Sequence, residues 1–302
     1  MRLSRNRLAI GPRRATGLCC DGTVTENDTD LVELRSVAEG LAAEAAEFVR
    51  RRRAEVFGNP STSPTQRPAV RAKSTPTDPV TVVDTETERL LRDRLAELRP
   101  GEHVLGEEEG GSAGHDGLTW VLDPIDGTVN FVYDIEMYAV SVGVQRDGVS
   151  VAGAVANVAS GALYSAGLGH GAQLRLAGVT TPLGSSAATE LSMSLIGTGF
   201  SYSPEQRTRQ AEILTWVLPT VRDLRRMGSC ALDLCMVAAG QLDGYYEDGV
   251  HVWDWAAGAL IAAEAGATVR LPPAAGGAGF VMAAGAGIAD ALQDTLRRSG
   301  AL

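Results

Sequence analysis

Apolar residues recur at intervals of three and four across residues 30–57, where Leu34, Val37, Ala38, Leu41, Ala45, Phe48 and Val49 fall on one stripe. That period predicts a long amphipathic helix. Arg50, Arg51, Arg52 and Arg53 lie near its C-terminal end, where cations complement the helix dipole and the basic run reads as a solvated face. Gly58-Asn59-Pro60 stops the helix, and residues 58–69 read as a polar loop. A second stripe, Leu90, Leu91, Leu95 and Leu98, predicts a helix over 85–98, with Asp84 ahead of it in the place of an N-cap. The period then changes to two. Short strands are expected at 103–105 and 119–122, then a hairpin of 138–144 and 149–155 across Arg146-Asp147-Gly148, then two strands within 161–176. Residues 110–117 read as a flexible loop. Two helices followed by antiparallel strands make an α+β unit.

Residues 180–188 are small and polar, and are taken as a domain boundary. Beyond them the pattern alternates. A strand is expected at 191–196, running into a turn at Gly197-Thr198-Gly199, then a helix over 206–222 with Pro219 late in it. Next come a helix over 229–239 closed by Gly240, a short strand at 243–247, and a helix over 255–265 opened by Trp253-Asp254 and closed by Gly266. Strands at 268–271 and 280–283 and a helix at 288–298 complete an α/β half. Residues 1–29 carry no period and are expected to be a disordered extension. The chain thus divides into that extension, an α+β domain over 30–185 and an α/β domain over 186–302.

Composition narrows the function more than the fold. The 302 residues suffice for one large or two ordinary domains. With 44% apolar and 21% charged residues the chain is an ordinary globular sequence. No apolar run approaches about 18 residues, so no membrane span is expected. No signal-type apolar core of about 7 residues precedes the first helix, which points to the cytoplasm. The net charge of −10 argues against binding nucleic acid through charge, though a local basic patch remains compatible with it. Cys19, Cys20, Cys230 and Cys235 form no C-x-x-C pair and read as reduced thiols rather than zinc ligands. Basic residues are almost all arginine. Lys73 is the one lysine, which fits a position wanting a compact ammonium charge.

The stretch most suggestive of chemistry is Thr119-Trp120-Val121-Leu122-Asp123-Pro124-Ile125-Asp126-Gly127-Thr128. An apolar strand runs into an aspartate, and Pro124, lacking an N–H, is expected to end the strand ladder. Asp123 and Asp126 then share one tight turn. Hard oxygen ligands at that density suit Mg²⁺ or Mn²⁺. Gly127 allows close backbone approach, and Thr128 adds a hydroxyl near a helix start. The same residue types also make an ordinary surface turn.

The stretch has company. Asp123-Pro124-Ile125-Asp126-Gly127-Thr128-Val129-Asn130-Phe131 resembles the D-P-I-D-G-T-x-N-F signature of the inositol monophosphatase family. Gly106-Glu107-Glu108 is similar to that family's G-E-E element, and Trp253-Asp254 with Ala256-Ala257-Gly258 to its W-D-x-A-A-G element. Lys73, Asp78, Val80-Thr81 and Asp84 resemble its K…D-x-V-T-x-x-D element. The resemblance covers residues 32–300. It implies a layered α/β/α/β/α sandwich of the sugar-phosphatase type, assembled as a homodimer. It also implies Mg²⁺-dependent hydrolysis of inositol 1-phosphate, sensitive to Li⁺, with Mn²⁺ as a substitute. By that resemblance Glu107, Asp123 and the Ile125 carbonyl would hold one ion, and Asp123, Asp126 and Asp254 a second. Glu107 would serve a weaker third. Asp84 and Thr128 would orient or deprotonate the attacking water, and the Gly127 and Thr128 amides would bind phosphate. Lys73 would lie near the metals. Glu247 and Gly228-Ser229-Cys230 would contact the polyol, with Asp126 and Asp254 counted among the substrate contacts as well.

Related phosphatases with the same ligands act on fructose 1,6-bisphosphate, histidinol phosphate or 3′-phosphoadenosine nucleotides, and the ligands do not separate these. A further alternative is a regulatory binding protein retaining the fold. Asp84 and Asp254 also suit helix N-caps, and Glu247 a strand-end surface acid.

Overall fold

The computed structural model describes residues 26–58, 69–73, 75, 77–111, 117–273 and 277–302. The chain opens with α1 (Glu26–Phe57), the short pair β1 (Val70–Ala72) and β2 (Pro79–Thr81), and α2 (Val82–Leu98). Six strands and one short helix follow: β3 (His103–Gly106), β4 (Gly110–Gly111), β5 (Leu118–Asp126), α3 (Thr128–Tyr133), β6 (Ala139–Arg146), β7 (Val149–Asn157) and β8 (Leu163–Gly167). The edge hairpin β9 (Ala172–Leu176) and β10 (Val179–Pro182) leads to β11 (Leu195–Thr198), α4 (Pro204–Val217) and β12 (Asp223–Arg225). The last part alternates: α5 (Cys230–Ala238), β13 (Gly244–Val250), α6 (Val252–Glu264), β14 (Ala267–Arg270), β15 (Gly279–Gly285) and α7 (Ala289–Arg298).

Beside the two-stranded β1-β2 pair, two sheets carry the described residues. The larger has eight strands in the order β10-β9-β8-β7-β6-β5-β3-β4, and the smaller has five in the order β12-β11-β13-β15-β14. Strand alternation sends side chains to both faces of each. From β5, Trp120 and Leu122 point to one side, packing with Leu34, Leu41 and Val49 of α1 and Leu91 and Leu95 of α2. Val121 points to the other, joining Leu234 of α5 and Ile261 of α6. Tyr245, Val281 and Ala283 of the smaller sheet close on these same two helices. Their neighbours Tyr246 and Met282 face outward, against Ile213 of α4 and Leu292 and Leu296 of α7. The result is the expected α/β/α/β/α sandwich, with α5 and α6 as its shared middle layer.

The middle layer sits close. A Cβ on Gly153 would lie 2.9 Å from Ala257 Cα, and one on Gly143 would lie 2.8 Å from Ala256 Cβ. On the far side of α6, a Cβ on Gly258 would meet Leu234 Cβ at 3.0 Å. Ala256-Ala257-Gly258 is therefore small because α6 is pressed between the large sheet and α5. The segment between the sheets is itself tied down: Leu183 N–H donates to Ala172 (2.9 Å) and Ser185 N–H to Ala265 (2.8 Å).

Several sequence expectations need correction. Helix α1 begins at Glu26, inside the expected extension, while residues 1–25 and the loop 59–68 lie outside the described residues. Strand β5 does not stop at Pro124. A bulge between Asp123 and Asp126 lets the ladder to β6 resume, pairing Asp126 with Ala139. The missing proline N–H is absorbed in that irregularity. Helix α2 starts at Val82, so Asp84 is not its N-cap; Thr81 is. Likewise His251, not Asp254, precedes α6. Part of the expected loop at 110–117 is strand β4, and β10 extends into the expected boundary. The expected strand at 191–196 begins as a turn of 3-10 helix over Leu191–Met193. Helix α4 ends at Val217, where Pro219 brings a further 3-10 turn, and β12 follows.

Candidate metal centre and active site

The site is built from element ends. Strand β5 delivers Asp123 and Asp126 on either side of its bulge, and the first turn of α6 delivers Asp254. One carboxylate oxygen from each lies within 4.8 Å of the others. Asp123 and Asp126 are 1% and 8% exposed, so two of the three acids meet out of water while Asp254 is partly exposed. The Asp123 Oδ1 accepts the Ile125 N–H at 3.0 Å, which fixes the turn. Asp126 Oδ2 accepts both the Ser229 hydroxyl and the Ala231 N–H, each at 2.6 Å. Those donors belong to the start of α5, so its N-terminus faces Asp126. Asp254 accepts the N–H of His251, closing the first turn of α6 around itself.

Both helix-borne aspartates thus sit at the third helical position and bond back to the residue that precedes the helix. Asp84 is completely buried. Its Oδ2 takes the Thr81 N–H (3.0 Å) and the Thr81 hydroxyl, and its Oδ1 lies 3.1 Å from the Thr128 hydroxyl. Thr128 Oγ1 is also 3.1 Å from the Ile125 carbonyl. One hydroxyl proton serves only one of these acceptors at a time, so Thr128 is poised between the two. Gly127 before it has φ +94, and a Cβ there would lie 2.8 Å from the Met137 carbonyl, so this position requires glycine.

Glu107 follows β3. Its N–H continues the ladder onto the Leu122 carbonyl (3.2 Å), and its Oε1 meets Lys73 Nζ at 2.8 Å. Lys73 also pairs with Glu108. Burial alone would lower the lysine pKa, but the Glu107 and Glu108 carboxylates outweigh it and hold the ammonium charged. Among the acids burial acts first and in one direction. It pushes Asp84 up to about 6 against the opposing Thr81 hydrogen bond, with Glu107 adding to the rise. Burial raises Asp126 to about 7, against the Ser229 and Ala231 bonds. Asp123 and Asp254 are raised well above the ordinary range by burial and then by neighbouring acids. A bound cation would resolve this: the donors are all oxygen, crowded and short of positive charge, which fits a hard divalent ion.

The expected substrate residues are placed unevenly. Glu247 lies within β13 rather than at its end, and accepts the Tyr245 hydroxyl. It is raised by burial and belongs to the electrostatic surroundings of Asp126 and Asp254. Ser229 is 2% exposed with its hydroxyl committed to Asp126, and Cys230 is 5% exposed. Neither offers an open side chain, and Gly228 remains as the half-exposed member of the three.

Three contributors were not foreseen. A Cβ on Gly199 would lie 1.9 Å from Glu247 Oε2, so this glycine makes room for a carboxylate and is not merely a turn residue. The Asn130 amide donates to the carbonyls of Met137 (2.7 Å) and Met227 (2.8 Å), joining the turn after β5 to the approach to α5. Glu88 of α2 is completely buried beside Gly106. Its signal was legible: residues 84, 88, 91 and 95 share one helical stripe, and an acid on a buried stripe asks for a reason.

The sequence profile of the inositol monophosphatase family matches residues 30–299. An inositol-1-monophosphatase of Mycobacterium leprae is 62% identical over 288 residues, spanning 93% of this chain and 98% of that protein. The solved structure of Mycobacterium tuberculosis SuhB superposes with a TM-score of 0.77 at 57% identity, covering 90% of this chain and 98% of that one. A Salmonella typhimurium protein named Nus factor SuhB is 38% identical over 197 residues, 64% of this chain and 71% of its own length.

Proposed function

The chain belongs to the inositol monophosphatase family, and on that premise we propose that it is a Mg²⁺-dependent phosphatase that hydrolyses inositol 1-phosphate to inositol and phosphate. The observation that carries this reading is the convergence of Asp123, Asp126 and Asp254 within 4.8 Å, two of them buried, a crowding of acids that a bound cation would relieve. Divalent ions bound there would make a water acidic enough to attack near neutral pH and would offset charge on the departing oxygen. In this reading Asp123, Asp126, Asp254, Glu107 and the Ile125 carbonyl would hold the ions, with Asp123 serving more than one. Mn²⁺ would substitute, and Li⁺ would inhibit.

The chain's own groups supply the rest. Asp84, with Oδ2 saturated by Thr81, has Oδ1 left to direct the Thr128 hydroxyl. Thr128 then offers an oxygen lone pair to a water proton, with Asp84 behind it as the ultimate acceptor. Lys73 holds Glu107 in place. The amides of Gly127 and Thr128, at the start of α3, receive the phosphate. Glu247 accepts hydrogen bonds from the hydroxyls of the polyol. A homodimer in the cytoplasm accompanies this reading, and light scattering checks the first of these.

The deciding experiment is phosphate release with Mg²⁺ over a panel of inositol, sugar and nucleotide phosphates. Preference for inositol 1-phosphate supports the proposal, while preference for fructose 1,6-bisphosphate, histidinol phosphate or 3′-phosphoadenosine nucleotides moves the substrate within the same chemistry. The Nus-factor relative motivates a second reading, a regulatory binding protein. Wild-type protein without phosphatase activity on any member of the panel would favour it.

A further inference from the structure

We propose that Glu88, braced by Arg92, is a positioning residue that holds the turn after β3 so that Glu107 faces the metal centre. This rests on the reading of Glu107 as a metal ligand. Residues 107–109 form a turn between β3 and β4, and a turn that tight leaves its backbone N–H groups without ladder partners. Glu107 N–H reaches Leu122. The next two N–H groups both go to one side chain: Glu108 N–H donates to Glu88 Oε2 (2.7 Å) and Glu109 N–H to Glu88 Oε1 (3.0 Å). The carboxylate thus spans the turn in a bidentate grip.

The grip is itself anchored. Arg92, one helical turn on, donates Nε–H to Glu88 Oε1 at 2.9 Å, and its Nη2 reaches both Glu88 and the Gly110 carbonyl. One arginine therefore clamps the carboxylate and the far end of the same turn. Gly106 completes the arrangement: a Cβ there would fall 2.2 Å from Glu88 Oε1. The glycine of Gly106-Glu107-Glu108 thus leaves space for the carboxylate that organises the turn. Asp84, four residues before Glu88, bonds to Thr128 at the site. A single stripe of α2 so serves two parts of the centre, directly through Asp84 and through the Glu107 turn by Glu88.

A glutamine at position 88 keeps the shape but can accept through only one atom, and its NH₂ group would confront a backbone N–H. The measurement is Mn²⁺ binding to the full-length protein without substrate, by titration calorimetry, at a temperature where each variant is folded. Glu88→Gln is expected to weaken Mn²⁺ binding by about 10-fold or more, the range for groups that orient a ligand. Arg92→Gln is expected to weaken it by less, in the same direction. Leu95→Ala, a cavity in the same helix, is expected to lower the melting temperature while leaving Mn²⁺ affinity unchanged. Wild-type affinity in Glu88→Gln overturns the proposal, as does equal weakening in Leu95→Ala. Should Glu88→Gln not fold, Arg92→Gln decides, since Arg92 is partly exposed: unchanged affinity there overturns the proposal. Glu107→Gln separates the two levels. If it leaves Mn²⁺ binding intact, the reading of Glu107 fails; if it weakens binding while the Glu88 and Arg92 variants do not, only the positioning role fails.

Discussion

Both protein donors to Asp126 fall on one of its oxygens, Oδ2, from the Ser229 hydroxyl and the Ala231 N–H. Single residues of this kind set the charge balance of the centre, and three predictions follow from them. Asp123→Asn should reduce kcat by about 100-fold or more, because in the proposed reading this carboxylate would serve two ions at once. A folded variant that binds Mg²⁺ normally and turns over at the wild-type rate would remove the metal assignment. Glu247→Gln should impair hydrolysis of inositol 1-phosphate, by about 1.5–3 kcal/mol in kcat/KM, yet keep most activity on 4-nitrophenyl phosphate. Gly199→Ala should have the same signature, since its Cβ would displace the Glu247 carboxylate. Equal losses on both substrates would instead tie Glu247 to the metals or the fold. The third prediction concerns pH. Burial raises Asp84 to about 6 and Asp126 to about 7, both above the 3.8 of an unfolded aspartate. The native state therefore holds protons that the unfolded chain has released. Their stabilisation is fully present below the unfolded pKa and is lost as pH rises through the folded values. Metal-free protein in EDTA should lose melting temperature between about pH 4 and about pH 8, most steeply below about pH 6, and Mg²⁺ should restore more of it at the upper end. A flat metal-free profile would contradict the raised values.

The elements work by their ends. The turns that carry Asp84 and Asp254 are first turns of helices, and the stripe of small residues on α6 lets the helix lie close to β6 and β7. Gly153→Ala tests that approach. The new methyl group has no space against Ala257, and overpacking of this kind costs about 1–3 kcal/mol. Denaturant unfolding should report that loss, and wild-type stability would mean that α6 yields easily. Some of this was legible beforehand. The stripe of α1, the hairpin of β6 and β7, and the glycine closing α5 were all visible as local patterns. Helix starts were less so. Thr81 and His251 became the residues preceding their helices because Asp84 and Asp254 bond back to them, and spacing alone does not distinguish an acid before a helix from one on its first turn. The bulge in β5 was invisible for a related reason: whether a ladder resumes after a proline depends on the partner strand.

At the scale of the molecule, α5 and α6 form the interior of both halves. The inner faces of the two sheets close on the same helices, so each sheet loses the cover of its inner face without them. Fluorescence and far-UV circular dichroism should therefore follow one coincident unfolding transition rather than two. The acids come from both halves, Asp84, Glu107, Asp123 and Asp126 from the first and Asp254 and Glu247 from the second, so metal binding should raise that single transition as a whole.

The sequence by itself determined the class of fold and marked a candidate set of acids with its company, because these are carried by short motifs and by periods that a local reading detects. It marked Asp123, Asp126, Asp254, Glu107 and Lys73 without any knowledge of their distances. Only the tertiary structure decided that three of those carboxylates meet within 4.8 Å, that the hydroxyl of Ser229 is committed to Asp126, and that Glu88 grips the turn carrying Glu107. Those facts depend on which element ends converge. Convergence is set by how closely helices approach sheets, through small residues such as Gly153, Ala257 and Gly106, whose effect lies in the neighbours they admit.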